Sequence, residues 1–87
     1  YDPTRQELFT AIRGAGVQVD GRRVRVSARR ELPGALVATG FPYRSNTRWM
    51  GPYLGMLRAV MEQTAGVRRP GSAALDLAYL AAGRTDA

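Results

Sequence analysis

The apolar positions along the chain change period twice. In residues 17–26 (VQVDGRRVRV) they alternate with polar ones, the period of a strand with one covered face. Asp20-Gly21 at the centre suits a two-residue type I′ turn, because both residue types tolerate positive φ. That turn sets Val19 opposite Arg22 and Val17 opposite Val24. Val17, Val19, Val24 and Val26 then share one face, and Gln18, Arg23 and Arg25 the other. Upstream, residues 7–13 (ELFTAIR) read as a further strand, broken or bulged by Gly14-Ala15-Gly16. After a charged loop, residues 35–40 (ALVATG) are apolar without alternation. This is the pattern of a strand covered on both faces, here ended by Phe41-Pro42-Tyr43.

From Tyr53 the period becomes helical. Tyr53, Leu57, Val60, Met61 and Thr64 fall on one side, with Arg58 and Glu62 as an i,i+4 pair on the other. Ser45, Asn46 and Thr47 offer helix caps, Pro52 fits only a first turn, and Gly66 is the expected C′ stop. The spacing of Trp49, Met50, Met56 and Met61 is that of a packing face. Residues 67–70 are extended, since Pro70 disfavours helical backbone at Arg69. Ser72 then caps a second helix over residues 73–82, about 15 Å long and stopped by Gly83. Only Ser72, Asp76 and Tyr79 form a polar stripe on it, so it is expected to be covered almost all round. Hairpin, strand, helix, short strand and helix in that order fit a layered α/β or α+β domain.

Length and composition narrow the chemistry. The 87 residues suit one small domain or part of a larger one, and a chain of that size buries only about 60–65% of its unfolded surface. With no initiator Met, the expectation is a central piece of a larger domain with both flanks missing. Cysteine and histidine are absent, which excludes disulfides, thiolate metal sites and an imidazole base. No run approaches the roughly 18 apolar residues of a membrane helix, and no signal peptide opens the chain. A cytoplasmic protein without a membrane partner is the default. The net charge of +6 comes from 13 arginines and no lysine, a bias that points to GC-rich coding more than to a phosphate-binding surface.

Three places carry candidate chemistry. Arg68-Arg69-Pro70-Gly71-Ser72 opens the apolar helix. A helix start leaves N–H groups unpaired and adds about half a positive charge; Gly71 permits close approach and the arginines bring guanidinium forks. The same residues also suit a capped core helix with solvated arginines. The cluster Arg22, Arg23, Arg25, Arg29 and Arg30 suits RNA or DNA by charge. It lacks interleaved aromatic residues, so a solvated face is the better reading. Asp76, inside the apolar helix, needs an arginine partner or a place near a site. No nucleophile–base pair, carboxylate pair or metal cluster stands at motif spacing, so the residues alone give no catalytic machinery.

The segments YDPTRQELFTAIRGAGVQVDG, ALVATGFPY and RRPGSAALDLAYLAAGRTDA resemble the inositol monophosphatase family, its bacterial members above all, over nearly all 87 residues. The resemblance implies a fragment of the layered α-β-α-β-α sugar-phosphatase fold and Mg²⁺-dependent hydrolysis of a phosphate monoester. Inositol 1-phosphate is the first choice; a related sugar, histidinol or nucleotide phosphate is the alternative. It also implies a homodimer, and a second role in RNA or transcription-complex binding. The family's metal ligands lie in acidic motifs that do not occur here, so the resemblance implies neither catalytic nor metal residues in this stretch, and no phosphate release by it alone. Gly71, Ser72 and Ala73 match the family's substrate-contacting turn, and Arg68 stands where bacterial members place a substrate-contacting arginine. Arg69 matches a second arginine at the subunit interface, and Pro70 stands where relatives often have Thr.

Overall fold

The computed structural model describes residues 1–41 and 44–87, with backbone alone for residues 44–46. Strands β1 (Phe9–Ile12), β2 (Gly16–Val19) and β3 (Arg22–Val24) form an antiparallel sheet in that order. The β2–β3 turn is the expected one. Asp20 and Gly21 take φ of 49° and 79°, and Val17 pairs with Val24, Gln18 with Arg23 and Val19 with Arg22. Of residues 14–16, expected to break or bulge a strand, Gly14 and Ala15 make with Arg13 the hairpin turn, in which the Ala15 N–H donates to the Ile12 carbonyl (2.9 Å), and Gly16 opens β2. Val19, 8% exposed, anchors the covered face beside half-buried Val17 and Val24. Val26 departs from the expectation: the ladder ends at Val24, nothing holds Val26 to that face, and it is 65% exposed.

Strands β4 (Leu36–Ala38) and β5 (Gly66–Arg68) are parallel, with Leu36 beside Gly66 and Ala38 beside Arg68. Parallel neighbours require a crossover. Helix α1 (Met50–Gln63), entered through a 3-10 helix (Arg44–Trp49), supplies it. Tyr53, Leu57 and Val60 of α1 lie over Val37 and Val67, while Arg58 and Glu62 pair at 3.0 Å in solvent. Three expectations about this helix fail. Thr47 does not cap it, because the 3-10 turns run straight into it; the Ser45 and Asn46 side chains, like Pro42 and Tyr43, lie outside the described residues. Met61 and Trp49 face solvent, and Met56 is exposed although it borders the apolar space under α1. Gly66 is not the stop. Thr64 is: it turns extended (φ −124°), its hydroxyl donates to the Val60 carbonyl at 2.8 Å, and Gly66 passes into β5.

Helix α2 (Ala73–Ala81) starts on the predicted residue and ends one residue before the predicted Ala82, which is its C-cap. Ser72 Oγ accepts the Leu75 N–H, and Gly83 takes φ of 77° after the last turn. The expected cover is missing, since no residue of α2 is buried and Leu77 is 67% exposed. Among the described residues no element is left over to lie on that side. Beyond α2 the chain ties the two sheets together. The Asp86 N–H donates to the Leu36 carbonyl and Ala38 N–H to the Ala87 carbonyl, both 2.8 Å, along the β4 edge opposite β5. Gly83 lies against the backbone leaving β3: an added Cβ would stand 2.8 Å from the Arg25 carbonyl oxygen and 3.3 Å from the Ser27 nitrogen.

This gives a graded test. Gly83→Ala combines left-handed strain with a backbone clash and is expected to cost about 2–5 kcal/mol of unfolding free energy. Gly14→Ala, at φ 84° but with open space around it, should cost about 1–2 kcal/mol. Equal urea-unfolding midpoints for the two variants would contradict the close approach.

Candidate substrate-binding site

In sheets of parallel strands joined by helices, ligands collect beyond the carboxyl ends of the strands. Here β4 leads into Thr39-Gly40-Phe41 and β5 into Arg69-Pro70-Gly71. The two segments face each other across a hollow of about 380 Å³ at the start of α2, bounded also by Ala73 and Asp76. The Thr39 N–H donates to the Arg68 carbonyl at 2.8 Å and holds the segments side by side. Gly71 takes φ of 95°, where a side chain is strained, and an added Cβ would meet only an Arg69 guanidinium nitrogen at 3.8 Å. Ser72 Oγ is engaged inside the helix, at 3.4 Å from the Leu75 nitrogen. The first-turn N–H groups of Ala73 and Ala74 have no acceptor within the helix, and Ala73 borders the hollow.

The two arginines separate. The Arg68 guanidinium folds back along β5, donating to the Val67 carbonyl at 3.1 Å, and lines a second hollow of about 740 Å³ with Arg5, Tyr79 and Arg84. Arg69 borders both hollows, its guanidinium 4.7 Å above the Phe41 ring. So Gly71 and Ala73 share a hollow with Arg69, while Arg68 requires a swing of its side chain to join them. Among the described residues Asp76 has no arginine partner; of the two expected settings it takes the other, beside the hollow. Its Oδ1 is buried without a hydrogen bond to any described residue. In the hairpin cluster, Arg29 is bound to Asp86 (3.4 Å); Arg22, Arg23, Arg25 and Arg30 are exposed and form no ion pair with any described residue.

Sequence reasoning missed the polar clasps that fix α2. Asp2, 2% exposed, accepts a hydrogen bond from the Tyr79 hydroxyl, and Glu7 takes the Arg84 fork at 2.6 and 2.7 Å. Arg84 also lies over Phe9 and Tyr79. Asp86 accepts from Ser27 and from the Leu36 N–H. Partners about 77 residues apart leave no local pattern to read. The clasps move protons in a consistent direction. Tyr79 holds the Asp2 carboxyl below the usual range, Arg84 does the same for Glu7, and Ser27 with the Leu36 amide for Asp86. In return Asp2 pushes the Tyr79 hydroxyl up and Glu7 pushes Arg84 up.

All 87 residues match the inositol monophosphatase family. The chain belongs to that family. It is 59% identical over 87 residues to the Nus factor SuhB of Pseudomonas aeruginosa, covering 99% of this chain and 32% of that protein. The crystal structure of extragenic suppressor protein suhB from Bartonella henselae superposes with a TM-score of 0.90 at 54% identity, over 98% of this chain and 32% of that one. The inositol monophosphatase from Anabaena gives 0.86 at 41% identity, over 98% and 35%. The chain therefore spans about a third of the length of these relatives, and its mixed α/β architecture is a portion of the larger inositol monophosphatase fold. Members of the family generally use Mg²⁺. The side chains here do not fit that ion, since among the described residues no three His, Cys, Asp or Glu come together and three of the carboxylates are already bound in the clasps.

A carboxylate with a lowered pKa contributes stability that is complete above its unfolded value, about 4, and is lost as pH falls through the folded value. Glu7→Gln should therefore lower the urea midpoint at neutral pH, and the gap from wild type should close between about pH 5 and pH 2. A gap of constant size would show that the Glu7–Arg84 pair is not what the midpoint reports.

Proposed function

We propose that the protein carrying this chain is a cytoplasmic, homodimeric phosphate monoesterase acting on inositol 1-phosphate or a related ester, and that these residues seat the alcohol portion of the ester. The observation that carries this reading is the hollow beyond β4 and β5, where Gly71 at φ 95° brings the chain to the start of α2 in a member of this family. Residues outside the 87 hold Mg²⁺, which, when bound, supplies a Lewis acid for attack on the phosphorus.

The local contribution is orientation. Gly71 and Ala73, which line the hollow, hold the ester from one side with the adjoining backbone of Ser72 and Ala74, and Thr39 and Phe41 close the other. Fixing the alcohol removes rotational freedom that the reaction otherwise loses at the barrier. Arg68, turned away from Val67, adds a charge-assisted donor to the ester. Arg69 serves the dimer contact from the rim, where Phe41 holds it.

A second reading draws on the name Nus factor carried by the 59% identical relative and on the unpaired guanidinium groups of Arg22, Arg23, Arg25 and Arg30. It is association with RNA or the transcription machinery through the hairpin, with the fold retained and the phosphatase function secondary.

Phosphate release from inositol 1-phosphate by the full-length protein, with and without Mg²⁺, separates the two. Metal-dependent release is expected. Arg68→Ala should raise KM about tenfold, the loss of one charge-assisted hydrogen bond, and leave kcat within about threefold. Arg69→Ala should leave KM within about twofold and weaken the dimer in sedimentation. A folded protein that releases no phosphate from any such ester, but binds RNA, would favour the second reading.

A further inference from the structure

Tyr53 belongs to α1, the crossover helix, yet it touches two residues of the wall of the hollow that follows β4. Its hydroxyl lies 2.9 Å from Thr39 Oγ1, and its ring meets Phe41 edge-on, centroids 5.8 Å apart at 76°. Thr39 and Phe41 both line the hollow, and the Phe41 ring also carries the Arg69 guanidinium. Between them Gly40 contributes no side chain. Among the described residues, Tyr53 is the one side chain of α1 that reaches this wall through a hydrogen bond. The Thr39 N–H to Arg68 carbonyl bond fixes where the wall begins but not where the Thr39 hydroxyl points.

We propose that Tyr53 is a positioning residue of the substrate hollow, acting through Thr39 and Phe41; the proposal rests on the phosphate-ester reading above. The bond from Tyr53 fixes the Thr39 rotamer, whose hydroxyl also lies 3.5 Å from the Gly40 carbonyl, and so steadies the course of residues 39–41 along the hollow. The ring contact holds Phe41, and through it Arg69, at the rim. A wall ordered before the ligand arrives spares the ligand the cost of ordering it. A tyrosine that is merely half-buried with its hydroxyl satisfied would affect folding and leave ligand affinity alone, and the two roles separate experimentally.

The test uses the full-length protein with Mg²⁺ and inositol 1-phosphate. Tyr53→Phe keeps the ring on Phe41 and removes only the hydroxyl; Thr39→Val removes its partner. Each should raise KM about three- to tenfold with kcat within about twofold, the scale of one neutral hydrogen bond. The double variant should be no worse than the worse single one, because both remove the same bond. Thr39→Ser, which keeps the hydroxyl, should restore most of the wild-type KM. Unchanged KM in Tyr53→Phe, or additive effects in the double variant, would overturn the proposal. Should the wild type release no phosphate, the hydrolase reading fails, and calorimetric Kd values for inositol 1-phosphate decide the role of Tyr53 by the same ratios. A wild type that neither hydrolyses nor binds that ester overturns both.

Discussion

The structure depends on the passage of residues 83–87 between two sheets that share no ladder of their own. β1–β3 form one sheet and β4–β5 the other. Gly83 passes within reach of the Arg25 carbonyl only because it has no side chain, Arg84 grips Glu7 beside β1, and Asp86 holds Ser27, Arg29 and Leu36 together. The last backbone bonds run along β4. Each contact is modest alone, and a surface ion pair contributes little. Their value lies in being consecutive: five residues fix the end of α2 against both sheets at once.

A helix fixed at one end has its other end placed as well. α2 is nine residues long, and its start comes to rest beyond the carboxyl ends of β4 and β5. The same parallel pairing that demands α1 as a crossover also brings Tyr53 to the opposite wall. The seat therefore arises from three requirements met together: a crossover helix, a strand end that turns sharply at Gly71, and a clasped C-terminal passage. None of them is itself chemistry. This accords with the proposed role, in which this portion of the inositol monophosphatase fold orients a ligand.

The sequence made the local features legible. Asp20-Gly21 announced its turn and register, Ser72 and Gly83 marked the ends of α2, and the Arg58–Glu62 pair followed from its spacing. Features that depend on distant contacts were not legible. Val26 has the same pattern as Val24 but lies past the end of the ladder, and Gly66 looks like a helix stop only until Thr64 takes that role. The near-uniform apolar surface of α2 reads as covered almost all round, but among the described residues nothing buries it, because pattern cannot say where a cover comes from. At the site, Gly71 and Ser72 were visible as punctuation, and their ligand-binding reading came from the family resemblance. Tyr53 and Thr39 were read as a helix-face residue and a strand residue, since only the fold brings their hydroxyls to 2.9 Å.

The central claim is that the start of α2 is where ligand meets this portion of the protein. Amide chemical shifts of the full-length protein, followed as inositol 1-phosphate is titrated in, test it most directly. The account predicts the largest movements at the N–H groups of Gly71, Ala73 and Ala74, with smaller ones at Thr39 and Phe41. Shifts confined to the hairpin around Arg22–Val24, with the α2 start unmoved, would contradict it.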